Sequence, residues 1–174
     1  MFSRLVLIVM TLVSGSVADA QEKYPIPGNN ANQLFYLQKN TNTNTIVCEL
    51  NYDNGYLNED EPVHVFWIRY QEGGQKKELN LIQEKFAYGI KSTRLSKDKY
   101  KMHFVSLKKY PMFLKKGGNN KFNVYATINK KEAILHRIFV KIIGGTFWSP
   151  NVEYIELKGI DPATGIEMVE RVKV

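Results

Sequence analysis

Phe122-Asn123-Val124-Tyr125-Ala126-Thr127-Ile128, the link Asn129-Lys130, and the run Lys131-Glu132-Ala133-Ile134-Leu135-His136-Arg137-Ile138-Phe139-Val140-Lys141-Ile142-Ile143 decide the fold. In the first run Phe122, Val124, Ala126 and Ile128 fall on one side, and Asn123, Tyr125 and Thr127 on the other. A period of two is the mark of a strand with one buried face. The second run is apolar on both sides, with Ile134, Ile138, Val140 and Ile142 on one and Leu135 and Phe139 on the other. It reads as a central strand, or as one covered on its second face. The two residues between these runs are a connection of hairpin length.

The same pattern continues outward in both directions. Tyr100, Met102, Phe104 and Ser106 alternate, as do Ile166, Met168, Val172 and Val174, with Glu170 as the exception. Residues 63–70 form a second run apolar on both faces, where Val65 and Trp67 oppose Phe66 and Ile68. Asp53-Asn54-Gly55, Gly73-Gly74, Gly117-Gly118-Asn119-Asn120 and Gly144-Gly145 fall between runs as turns. Asp161-Pro162-Ala163-Thr164-Gly165 has the residues of a turn that Asp caps and a left-handed Gly closes. One segment departs from the rule: Leu79, Ile82 and Phe86 have helical spacing, Asn80 with Gln83 resembles a capping box, and Gly89 is a natural left-handed stop. This predicts one short helix near 80–88. The whole reads as a mainly β, single-domain antiparallel meander of eight or nine strands. Hairpin-length connections after residue 99 favour a closed barrel, with a two-sheet β-sandwich as the alternative.

The N-terminus carries an address. Arg4 precedes the apolar run 5–13, and Ala18-Asp19-Ala20 has the small-x-small pattern of a signal-peptidase site. Nine apolar residues are too few to cross a bilayer, which takes about 20. Residues 1–20 are therefore expected to be a cleaved export signal, 21–32 a flexible lead-in rich in Pro, Gly and amides, and 33–174 a single β domain. The expected location is periplasmic or secreted, with no transmembrane segment after cleavage. The formal charge of +7 favours an anionic envelope component as partner, and export argues against nucleic acid. Cys48 is the only cysteine, so no internal disulfide can form. It shares an alternating face with Ile46, Leu50 and Tyr52 and reads as a buried structural thiol.

Chemistry is sparse. In the run 40–45, Asn40, Asn42 and Asn44 share one face of an extended segment and could hydrogen-bond a polar ligand; a solvated Thr-rich edge strand fits equally well. His64 and His136, with Trp67, are candidates to line a ligand cavity. His64, His103 and His136 show no local pairing of metal-ligand spacing, so neither metal nor other cofactor is expected. Ten lysines and one acid, Asp98, lie between Lys97 and Lys131. Lys101, Lys115, Lys116, Lys121, Lys130 and Lys131 are the candidate basic patch, against the alternative that they protect strand edges. No nucleophile elbow follows residue 20, and Gly117-Gly118 lacks the ending of a phosphate-cradling loop. No catalytic residue is assigned. The leading expectation is a non-catalytic binding protein for a small ligand or an envelope glycan or lipid. The alternatives are an envelope hydrolase using Glu49 or the loop acids Glu59, Asp60 and Glu61, and a structural partner in an envelope assembly docking through its lysines. Oligomeric state is left open.

Four segments taken in order carry a resemblance. They are residues 37–51 (LQKNTNTNTIVCELN), 62–70 (PVHVFWIRY), 87–90 (AYGI) and 154–159 (YIELKG). Together they resemble the bacterial family of domain of unknown function 4833. The resemblance implies that nearly all of the chain after residue 20 is one unit, and it brings no activity, substrate or site residue.

Overall fold

The computed structural model describes residues 24–28, 30–118, 120–146 and 148–174. The expected export signal, and residues 21–23 of the lead-in, lie outside them. Strands make up 60% of the fold. In chain order they are β1 (Gln33–Lys39), β2 (Asn42–Leu50), β3 (Tyr52–Asp53), β4 (Tyr56–Leu57), β5 (Val63–Arg69) and β6 (Gln75–Glu78). A helix follows, with α1 (Leu81–Gln83) continuing into a π-helical turn, Glu84–Tyr88. Then come β7 (Ile90–Ser96), β8 (Lys99–Phe104), β9 (Met112–Lys116), β10 (Phe122–Ile128), β11 (Lys131–Gly145), β12 (Pro150–Ile160) and β13 (Glu167–Lys173).

β11 organises the sheet. A strand has two edges, and β12 occupies one of them from Ile134 to Gly145. The other edge is shared: β10 pairs antiparallel along Lys131–Ile134, and β1 pairs parallel along Arg137–Val140. A register shift between Leu135 and Arg137 separates the two partners. Two wings leave this one edge, β1-β2-β5-β6 and β10-β9-β8-β7. They curl toward each other into a half-barrel. The expectation of a closed barrel is thus corrected, because among the described residues no ladder joins β6 to β7. A two-sheet sandwich is not formed either: eleven strands share one sheet, and only the hairpin β3–β4 stands apart. The thirteen strands among the described residues also exceed the eight or nine expected, and three of them, β3, β4 and β6, are too short to show alternation.

The core lies between the wings. Trp67, Ile46, Leu37, Ile138 and Leu157 are successive register partners across five strands, all buried. The rings of Phe35 in β1 and Phe104 in β8 meet edge-on at 5.9 Å. Each such side chain contributes about 1.5–3 kcal/mol on burial. Cys48 is buried in the same cluster, and burial pushes its thiol pKa well above the ordinary value, which makes it unreactive.

The opposite face of the first wing holds a polar network. Gln38 and Thr45 are buried there, and Gln38 Nε2 donates to Thr45 Oγ1 (3.0 Å) and to the Pro25 carbonyl (2.8 Å). Arg137 Nε donates to Gln38 Oε1 (2.9 Å), and its Nη1 lies 3.8 Å from Glu156 Oε1. Arg171 Nε donates to Glu156 Oε2 (2.8 Å). Residues 24–26 cross this face, with Tyr24 against the ring of Phe139 (5.2 Å) and the Ile26 carbonyl accepting from the Tyr70 hydroxyl (3.3 Å).

Local signals held in most places. The capping box is formed, as Asn80 Oδ1 accepts from Gln83 N–H and Gln83 Oε1 accepts from Asn80 N–H. Gly89 is not the left-handed stop expected, since its φ is −61°. A glycine fits there for another reason: its N–H closes the π turn on the Glu84 carbonyl, and a Cβ would run into that oxygen.

Candidate functional site

The ends of four strands meet at one end of the half-barrel. Gln33 opens β1, Leu50 closes β2, Tyr100 stands second in β8 and Phe122 opens β10. They floor a groove of about 800 Å³, within the usual range for ligand sites of about 300–1,000 Å³. Its rim comes from the turns that join the same strands. The hairpin β3–β4 supplies Tyr52 and Tyr56, which are 44% and 80% exposed. Its tip, Asn54-Gly55, takes positive φ at both residues (50° and 83°), the backbone of a two-residue hairpin turn. Lys97 and Asp98 come from the β7–β8 turn, Lys116 from the end of β9, and Asn120 and Lys121 from the β9–β10 turn.

Two residues of this lining each carry a polar atom that is buried beneath the groove surface and has no hydrogen-bond partner in the protein. These atoms are Gln33 Oε1 and the hydroxyl of Tyr100, a residue only 1% exposed. Leaving such a group unpaired costs about 1–3 kcal/mol. The remaining lining is rich in amides (Asn30, Asn32, Asn123), and lysines outnumber acids. Both lining acids are already held, Glu59 by Arg94 and Asp98 by Lys116 (3.5 Å). Gln33 Oε1 requires a donor, while a phenol can donate and accept.

The expected site residues are dispersed. Asn40 Oδ1 accepts from Ile142 N–H (2.7 Å) and its Nδ2 donates to the Ile142 carbonyl (3.0 Å), tying β1 to β11. Asn42 Oδ1 accepts from Asn44 N–H, and Asn44 Oδ1 accepts from Gln71 N–H. These oxygens hold turns and do not form a ladder. His64 and Trp67 point to opposite faces of β5, as a spacing of three requires. Trp67 is in the core, and His136 is exposed at the β11 register shift, so the three line no common cavity. The lysines form no single patch. Lys121 and Lys130 flank opposite ends of β10, a strand about 20 Å long. Lys115 and Lys116 point to opposite faces; Lys115 pairs with Glu132 (2.7 Å) and stacks over Tyr125. Lys131 joins Lys130 at the far end, and Lys101 stands opposite Phe113 in the register. Only Lys116 and Lys121 of the six enter the groove.

His64 sits between two carboxylates, its Nδ1 3.1 Å from Glu49 Oε1 and its Nε2 2.7 Å from Glu78 Oε2. Lys76 adds a contact to Glu49 Oε1 at 3.2 Å. Burial alone would raise the Glu49 pKa; the hydrogen bonds from His64, Lys76 and Asn30 and the Lys76 charge outweigh it and hold the carboxyl below its ordinary range. A general acid needs the reverse. The depressed value has a pH signature. Glu49 contributes stability that is fully present above about pH 5 and lost as pH falls through its lower folded value. Glu49→Gln should therefore be less stable than the parent at pH 7, and the gap should narrow as the pH is lowered through the depressed folded value of Glu49; urea midpoints at pH 7 and across the acid range check this. Among the described residues no group of three His, Cys, Asp or Glu is placed to hold a metal ion, and no helix is long and apolar enough to cross a membrane.

The model of the family described as Domain of unknown function (DUF4833) matches residues 35–171. The chain belongs to this family. No curated protein and no solved structure matches it. The match spans both wings from β1 to β13, and so all four strand ends that floor the groove but for Gln33, two residues before it begins. Sequence reasoning missed Gln33, Tyr52, Tyr56 and Tyr100. The one available signal was a pair of tyrosines flanking Asp53-Asn54-Gly55, large aromatics at a hairpin tip where burial cannot explain them.

Proposed function

We propose that this DUF4833 domain is an exported, non-catalytic binding protein that holds a hydroxyl-rich, anionic glycan fragment in the groove over Tyr100. The observation that carries the reading is the pair of buried, unpartnered oxygens on residues of one lining, Gln33 Oε1 and the Tyr100 hydroxyl. Sugar hydroxyls match that pair once the side chains covering it part, exposed Tyr52 and Tyr56 offer flat faces to sugar rings, and the lysines favour acidic residues. The leader sequence supports a place outside the cytoplasm, where such glycans occur.

Tyr100→Phe separates this role from a structural one. Removing an unpaired buried hydroxyl should leave the free protein as stable as the parent or up to about 1 kcal/mol more stable. Removing a ligand contact should weaken binding about three- to tenfold. Calorimetric titration with uronic-acid tetrasaccharides, beside neutral tetrasaccharides, measures the affinity, and urea unfolding the stability. Unchanged affinity, or a stability loss above 1 kcal/mol, would overturn the assignment.

A further inference from the structure

The other end of the half-barrel has a second, chemically different space. β8 runs from Lys99 at the groove to Phe104 at the far end. There β9 begins only at Met112 and its ladder with β10 stops at Phe113↔Tyr125, so Ala126–Ile128 extend past it. Residues 105–111 bridge the gap in two turns, Leu107 N–H to the Phe104 carbonyl and Tyr110 N–H to the Leu107 carbonyl. Beneath them lies a cavity of about 190 Å³ walled by Phe104, Met112, Ala126, Leu135, Ile138 and Leu157. All six side chains are buried and all are apolar. The polar groups of the lining are few: Lys109 and Tyr110 from the bridging loop, and Thr127. Lys109 is the single charged residue, and no acid is present.

We infer that this cavity is a ligand site, independent of the groove, for a small anionic amphiphile: an apolar ring or a chain of about six carbons inside, with a carboxylate or like head at Lys109. The size follows from the volume. An apolar cavity of about 150 Å³ stays dry and takes benzene, and this one is somewhat larger. The apolar walls reject a polar body, because they offer it no hydrogen-bond partner. The head group follows from charge, since Lys109 is the one charged residue of the lining.

The test titrates the full chain with hexanoate, benzoate, hexanol and acetate, following methionine methyl resonances with Met112 assigned by Met112→Leu. Hexanoate and benzoate should move the Met112 signal and saturate. Hexanol should bind about two- to fivefold more weakly, the reach of one exposed ion pair, and acetate not at all. Lys109→Gln, an exposed change, should bring hexanoate down to the level of hexanol. Ala126→Leu should fill the cavity, abolish binding and hold or raise the melting temperature; if it does not fold, the Met112 signal and Lys109→Gln decide. No shift with either acid would overturn the proposal. Equal binding of acetate, or hexanoate binding indifferent to Lys109→Gln, would do so too.

Discussion

Replacing Arg137 with alanine is expected to remove about 3–5 kcal/mol of folding free energy, the usual cost of breaking a buried charge network by deleting one partner. Arg137 is 8% exposed and reaches three groups at once. It donates to Gln38, lies 3.8 Å from Glu156 and stacks on Phe139 at 4.9 Å. Its loss leaves Gln38 Oε1 without that donor and Glu156 with Arg171 as its remaining guanidinium partner. The site is also where β1 joins β11 in parallel, so the damage falls on the junction from which one wing springs. Arg137→Met keeps much of the volume and the contact with Phe139, and should cost clearly less than alanine. Urea unfolding at constant slope measures both. A loss below 1 kcal/mol for alanine would show the network to be solvated and dispensable.

Trp67→Ala should cost about 3–5 kcal/mol as well, and should do something Arg137→Ala does not. Trp67 lies in the core row and also reaches the helix. Its Nε1 donates to Gln83 Oε1 (3.2 Å), its ring meets Tyr88 edge-on at 5.1 Å, and Lys39 lies 5.6 Å from both ring centres. Lys39 Nζ also donates to the Tyr88 hydroxyl (2.9 Å). Gln83 is the residue that closes the capping box, so losing the indole removes a support of the helix start. Trypsin under native conditions should then cut after Lys85 in Trp67→Ala and spare the parent and Arg137→Ala. Equal resistance at Lys85 would mean that the helix holds without the indole.

Much of the secondary structure was legible because it follows from local chemistry. Asn129 and Lys130 both take positive φ, as the two-residue hairpin link demands. Asp161 Oδ1 accepts from Ala163 and Thr164 N–H, and Gly165 has φ 72°, so the turn has the form that its residues prescribe. The Asn80–Gln83 box is a contact three residues apart. Alternation likewise shows which side of a strand is buried. It does not show which strand lies next to it. The parallel union of β1 with β11 links positions about a hundred apart, and no local pattern encodes it. The register shift at Leu135–Arg137 breaks the alternation that would have placed His136. Asn40, Asn42 and Asn44 alternate as read, yet their side chains serve neighbouring backbone. The groove was out of reach for the same reason as the topology. Its floor is made of Gln33, Leu50, Tyr100 and Phe122, residues far apart in the chain that meet only because their strands end together.

Tyr100 is the residue on which the functional account turns, and its hydroxyl can be observed directly. Protein labelled with ¹³C at the tyrosine ring Cζ gives a resonance for each phenol, and Tyr100→Phe assigns the one of interest. On titration with a uronic-acid tetrasaccharide the Tyr100 signal should shift and saturate with the midpoint found by calorimetry, because a sugar hydroxyl has become its hydrogen-bond partner. A Tyr100 signal that stays fixed while the ligand binds would contradict the account.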